Sequence, residues 1–356
     1  MAKSGVSGYA AISARVRAMY SSQLQPADFE RLGDTPDLNS LIAQLKLTAY
    51  GPYLENLKDK DLAPRKVLAQ IKGRLADAYS SVIHMAPEHT RPLLTRLYRN
   101  FEVANIKAIL RGIVSGASWD KMQDVLFPFG SMTVLPEQAM IESGSIGAAV
   151  ELLRGTVYEE TLSFAMKRYS LEQSLFPLEV ALDLDYWRRL WQETRRLSGQ
   201  DREQALRIIG NLIDTNNLSW VIRYRVYHQL SEEELINYTL PFGYHVRDDD
   251  VRAIAAGADI GTIVERIYPD IPEMDALLSD PRRGLPKLEL QLKRHVMKRC
   301  MDAFIGNPFH IGIPLAYLVL CDLEIQDLTV LIEAKSSRMA EDVYKSFMLK
   351  PLVVRA

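Results

Sequence analysis

The chain has 356 residues, of which 47% are hydrophobic and 25% charged, and its formal net charge is −2. That composition supplies enough apolar mass for two or three cores. It lacks the basic excess that steers a protein towards nucleic acid or anionic lipid. Two cysteines, Cys300 and Cys321, both lie inside apolar helical patterns, which excludes a disulfide framework and points to buried thiols in a reducing compartment.

Taken in chain order, the first twenty residues show no long apolar run of a secretory signal. Residues 11–17 read as the core of a first helix, and 37–43 as a short one. Segments 64–82, 91–114, 179–197, 202–230 and 314–335 then place apolar residues three and four apart, the spacing of amphipathic helices. Ser231, followed by Glu232, Glu233 and Glu234, has the form of an N-cap with its capping-box glutamate. Asp248-Asp249-Asp250 reads as an acidic helix start favoured by the helix dipole; it lacks the glycine and distant glutamate of a calcium loop. Residues 280–286 read as a loop. Residues 303–321 carry no Asp, Glu, Lys or Arg, yet Gly306, Pro308, Gly312 and Pro314 interrupt them. The expectation there is a buried core helix behind a proline-rich approach, not a membrane span. Alternating strand patterns are nearly absent, so the fold class is all-α.

Internal repetition is the most informative feature. Glu102, Asn105, the apolar pair Ile109-Leu110 and Arg111 match Asp214, Asn217, Val221-Ile222 and Arg223. A third copy, Glu324, Asp327, Leu331-Ile332 and Glu333, keeps the frame with Asp for Asn and Glu for Arg. Downstream, Ser118 and Ser231 mark helix starts, Phe127-Pro-Phe-Gly130 matches Leu240-Pro-Phe-Gly243, and residues 144–151 match 258–265. Residues 11–17 resemble 105–111, which puts Arg17 in the slot of Arg111 and Arg223. The chain is therefore read as three helical units, 1–104, 105–216 and 217–326, with 327–356 as a closing C-terminal helix. Similar units with similar interfaces tend towards closure, which predicts a pseudo-threefold, funnel-like body with a central hollow; open stacking is the alternative.

Chemistry-bearing motifs are missing. No GxxxxGK[ST], GxSxG or Rossmann fingerprint occurs, and the six histidines show no HExxH or paired-ligand spacing. No catalytic residue, cofactor or metal is expected. Asn105, Asn217 and Asp327 fit side-chain bonds to a neighbouring backbone or cap, with a ring of ligands as the alternative. Arg17, Arg111 and Arg223 either pair with carboxylates of their own unit or face a partner. Arg15, Arg225 and Lys335 are expected on a solvated face. Phe127, Phe129 and Phe242 either pack in the core or touch a partner.

The motifs YAAISARVRAM (9–19), RNFEVANIKAILRG (99–112), DTNNLSWVIRYR (214–225) and NPFHIGIPLAYLVLCDLEIQDLTVLIEAK (307–335) span nearly the whole chain. Together they resemble the C subunit of archaeal and bacterial V/A-type ATPases, related to the eukaryotic d subunit. The resemblance implies a non-catalytic spacer between the central shaft (D/F-type subunits) and the membrane proteolipid c/K ring. Such a spacer is peripheral to the cytoplasmic face of the membrane, transmits torque coupled to ion transport, and has Arg17, Arg111, Arg223, Phe129 and Phe242 as candidate contact residues. A helical-repeat scaffold of another membrane-associated assembly, or an all-α enzyme with an unmarked pocket, would be the alternatives.

Overall fold

The computed structural model describes residues 6–57, 62–228, 230–271 and 280–350. Helices account for the regular structure, and no strand occurs among the described residues. In chain order they are α1 (Val6–Tyr20), α2 (Pro26–Gly33), α3 (Leu38–Leu45), α4 (Gly51–Leu54), α5 (Pro64–Met85), α6 (Arg91–Val114), α7 (Trp119–Met122), α8 (Glu137–Glu142) and α9 (Ile146–Glu151). There follow α10 (Glu159–Glu172), α11 (Phe176–Arg196), α12 (Gly199–Arg223), α13 (Glu232–Asn237), α14 (Asp248–Ala255), α15 (Ile260–Ile267), α16 (Pro281–Asp302), α17 (Gly312–Ser337) and α18 (Glu341–Lys345).

The helices that periodicity predicts are present: 91–114 has the predicted bounds, 64–82 and 314–335 are longer, and 179–197 and 202–230 start earlier and end sooner. Their boundaries follow local chemistry. Pro64 and Pro92 stand in first turns, where a missing N–H costs nothing. Ser231 and Glu234 form the reciprocal capping box. Equivalent short helices begin alike: Asp37, Ser145 and Asp259 each accept the backbone N–H three residues on, from Ser40, Ala148 and Thr262. The acidic triplet opens α14, with Asp250 accepting the N–H of Arg247.

One expectation is corrected. Residues 280–286 are not a loop: Asp280 caps α16, and Pro281 to Pro286 form its first turns. Pro286 removes the N–H that would bond the Arg282 carbonyl. The Tyr227 hydroxyl donates to that carbonyl instead, at 2.6 Å. Tyr227 reaches it from a turn of π-helix, Tyr224–His228, that continues α12. Propensity alone gives no hint of such a tertiary rescue.

The described residues group into two compact units. One comprises 31–189 with 331–338. Its core includes Ile71, Leu75, Leu94, Ile106, Ile109 and Leu110, with an aromatic layer in which Phe101 stacks on Phe127 at 4.2 Å between centroids. The other comprises residues up to 30, 190–330 and those from 339 on. There, α12, α14, α15 and α16 share a core around Ile222, Ile254, Val264 and Leu288. Residues 310–321 are all buried, as expected of the charge-free stretch. Among the described residues, no helix is long and apolar enough to cross a membrane.

Candidate partner-binding surface

Each copy of the repeat is held by two polar side chains of its long helix. In α6, Asn105 donates to the Phe127 carbonyl (3.0 Å) and accepts the Phe127 N–H (2.8 Å). In α12, Asn217 does the same to Leu240, at 3.0 Å each way. In α17, Asp327 when ionised can only accept, and it takes two N–H groups, those of Leu349 (2.6 Å) and Lys350 (3.1 Å). The bonded backbone lies 22 or 23 residues downstream, so these residues clasp a distant segment and do not cap a neighbouring one. An amide or carboxylate this deep must be fully partnered to be tolerated, which makes each clasp a strong local constraint.

The acid three residues earlier adds a second hold. Glu102 accepts the Val134 N–H and the Tyr158 hydroxyl (2.6 Å). Asp214 accepts three successive N–H groups, of Tyr244, His245 and Val246, with the Tyr268 hydroxyl at 3.4 Å. Glu324 accepts the N–H of Leu24 at 2.9 Å. The C-terminal copy thus binds segments from both ends of the chain. Burial pushes the carboxyls of Asp214 and Asp327 up to about 6 against the opposing pull of these N–H groups.

The arginine slot is paired, also in register. Arg111 makes a two-pronged ion pair with Glu179 of α11, both contacts at 2.6 Å. Arg223 pairs with Glu289 of α16 at 2.5 Å. Arg17 donates to the Phe304 carbonyl at 2.9 Å and lies over its ring. Even so, the Arg111 and Arg223 side chains are 63% and 49% exposed. The partner acids follow their arginines by 68 and 66 residues, a regularity that the sequence carries but that motif matching around the asparagines missed.

Two supposedly solvated cations are structural. Arg225 donates to the carbonyls of Ile254, Gly257 and Ala258 and so closes the C-terminal end of α14. Lys335, in the same frame position, donates to the carbonyl of Gly33 at the end of α2. Last-turn carbonyls lack intrahelical donors and attract cations, which outweighs full solvation. Arg15 is exposed as expected.

Phe127 and Phe129 are 5% and 6% exposed and pack on Tyr98. Phe242 is half-buried and stacks on Trp191 at 5.1 Å. His310 is buried, which pushes its imidazole below the usual range, and it accepts the Gly312 N–H. Burial pushes the Cys300 thiol up, away from nucleophilic reactivity. Among the described residues no group of His, Cys, Asp and Glu is arranged to hold a metal ion.

These recurring holds and ion pairs define an all-helical protein whose long helices α6, α12 and α17 use the same polar clasp, with exposed cations at equivalent stations. The family model for the ATP synthase (C/AC39) subunit matches residues 12–347, and the chain belongs to that family. It is 23% identical over 345 residues to the C subunit of the A-type ATP synthase of Methanocaldococcus jannaschii, covering 96% of this chain and 86% of that protein. It is 25% identical over 354 residues to the corresponding C subunit of Pyrococcus horikoshii, covering 97% and 90%. That of Methanococcoides burtonii is 22% identical over 342 residues, covering 96% and 94%.

Proposed function

We propose that the chain is the non-catalytic rotor adaptor of a V/A-type ATPase or ATP synthase. In this role it links the central shaft (D/F-type subunits) to the proteolipid c/K ring and transmits torque between them on the cytoplasmic face of the membrane. The membership of the C/AC39 family supports the assembly. The observation that carries the mechanical reading is the clasp used three times, by Asn105, Asn217 and Asp327. A torque-bearing part must resist shear between its units, and buried, fully bonded polar anchors in close-packed helices provide that stiffness.

The proposed body is a pseudo-threefold funnel of units 1–104, 105–216 and 217–326, with 327–356 closing it. The hold of Glu324 on Leu24 supports closure, because it joins the C-terminal copy to the N-terminal segment. Arg17, Arg111 and Arg223 are the proposed contacts with shaft or ring. The exposure of Arg111 and Arg223 supports this, since a guanidinium already paired on one side keeps donors free for a second carboxylate. Phe129 and Phe242 then serve by packing the clasped turns behind that surface.

The test is reconstitution of the complex with and without this chain. Without it, ATP hydrolysis by the soluble head should persist while ATP-driven ion pumping is lost, and adding the chain back should restore pumping. Pumping that proceeds at full rate in its absence would end the reading.

A further inference from the structure

The α17 copy and the α12 copy differ in the side chains around their clasps, and a groove lies beside the α17 clasp. In the α12 copy, Trp220 packs beside Tyr224 and Tyr224 meets the edge of Tyr238, which is 8% exposed. Counted from the clasps, Val330 stands where Trp220 does, three residues after Asp327 as Trp220 is after Asn217. Phe347 stands where Tyr238 does, two residues before the clasped Leu349 as Tyr238 is before Leu240. There a groove of about 500 Å³ lies between α16, α17 and the turn that follows α18, lined by Leu290, Val330 and Phe347 among others. Phe347 is 51% exposed there.

The groove wall is basic. Arg283, Lys287 and Lys293 line it. Its two acids are already engaged, Glu289 with Arg223 and Asp327 with the N–H groups of Leu349 and Lys350. Arg283 also faces Asp280 at 3.4 Å, and Lys293 donates to Gln326. Lys287 has no ion-pair partner among the described residues and is exposed. We infer that this groove docks an amphipathic helix of a partner protein, one that places a bulky apolar side chain over Val330 and Phe347 and carboxylates against Lys287 and its neighbours. A helix of this kind presents its apolar anchors at i, i+4 and i+7 along one face. The cations select acidic flanks over basic ones.

The inference stands apart from the rotor reading, and its test uses neither shaft nor ring. Two fluorescent eighteen-residue amphipathic peptides with the same Leu/Trp face, one flanked by Glu and one by Lys, are titrated against the full chain by anisotropy. The Glu peptide should bind and the Lys peptide should bind at least tenfold more weakly. Val330→Trp, which copies Trp220, should fill the groove and cost the Glu peptide at least tenfold, as should Phe347→Ser. Lys287→Glu, a surface change that leaves the fold alone, should weaken the Glu peptide and strengthen the Lys peptide. Equal binding of the two peptides, or unchanged binding to Val330→Trp, overturns the inference. So does binding that appears only after residues 351–356 are removed, because the groove would then belong to the chain's own end.

Discussion

Asp327 holds the backbone N–H of Leu349 at 2.6 Å in the place where Asn217 both donates to and accepts from Leu240. The same clasp is thus made once with a titratable group and twice with amides. An asparagine can satisfy a whole peptide group, N–H and C=O together, without a charge. An aspartate must face two N–H groups, and it introduces buried negative charge that its surroundings offset only in part.

That difference predicts a pH signature. Asp327 is pushed up to about 6, mainly by burial. The folded state therefore keeps a proton that the unfolded chain has released between about pH 4 and pH 6, so stability falls as pH rises through that window and stays level above it. The full effect is about 3 kcal/mol at neutral pH. Asp327→Asn, which can adopt the Asn217 arrangement, should match the wild type near pH 4 and exceed its melting temperature above pH 6.5. Melting curves of both proteins from pH 4 to 8 check this; a gap that does not widen with pH would count against it. Asp214, also pushed up to about 6, titrates in both proteins and cancels in the comparison.

Gly130 and Gly243 end equivalent Pro-Phe-Gly turns for different reasons. At Gly243 an added Cβ would lie 2.1 Å from an Asp214 carboxylate oxygen and 2.6 Å from the Val246 carbonyl. At Gly130 nothing lies within 4 Å, but φ is +57°. Gly243→Ala should cost about 2–4 kcal/mol by forcing the Asp214 hold apart, and Gly130→Ala about 1–2 kcal/mol for the left-handed backbone alone. Urea unfolding ranks the two, and the reverse order would refute the assignment.

The fold class and the long helices were legible because 3.6-residue periodicity is a local signal, and α6 was read to the residue. The repeat was legible because Asn, the apolar pair and Arg recur in frame. What local reading missed is long-range: the use of Arg225 and Lys335 to close helices 29 and 302 residues away, the Tyr227 bond that lets Pro286 sit inside α16, and the acids Glu179 and Glu289 that answer the arginines. Each depends on which side chains tertiary packing brings together. Pro286 inside α16 is such a case, since the ordinary effect of proline is to break a helix.

The equivalent pairs Arg111–Glu179 and Arg223–Glu289 separate a stabilising role from a partner-binding one. Both arginines are about half exposed or more, and solvent-exposed ion pairs contribute little, roughly 0–1 kcal/mol each. Reversing both with Arg111→Glu and Arg223→Glu should therefore lower the melting temperature only slightly. If these arginines also contact the shaft or ring, assembly measured by co-purification should fall at least tenfold. A large loss of stability with normal assembly would assign them to internal pairing alone.

Pro286 and Tyr227 form a coupled pair across 59 residues of sequence. Tyr227→Phe strips the Arg282 carbonyl of its donor, but Tyr227 is 49% exposed and water can partly replace it, so the cost should be about 0.5–1.5 kcal/mol. Pro286→Ala returns an N–H to that carbonyl within α16 and relieves the ring clash, and should stabilise the protein. In the Pro286→Ala background the tyrosine hydroxyl has a competitor for the carbonyl, so Tyr227→Phe should cost clearly less there than in the wild type. A double-mutant cycle by chemical unfolding measures this coupling. A coupling of zero would mean that the hydroxyl does not replace the bond that proline removes, and that α16 tolerates its internal proline by solvation alone.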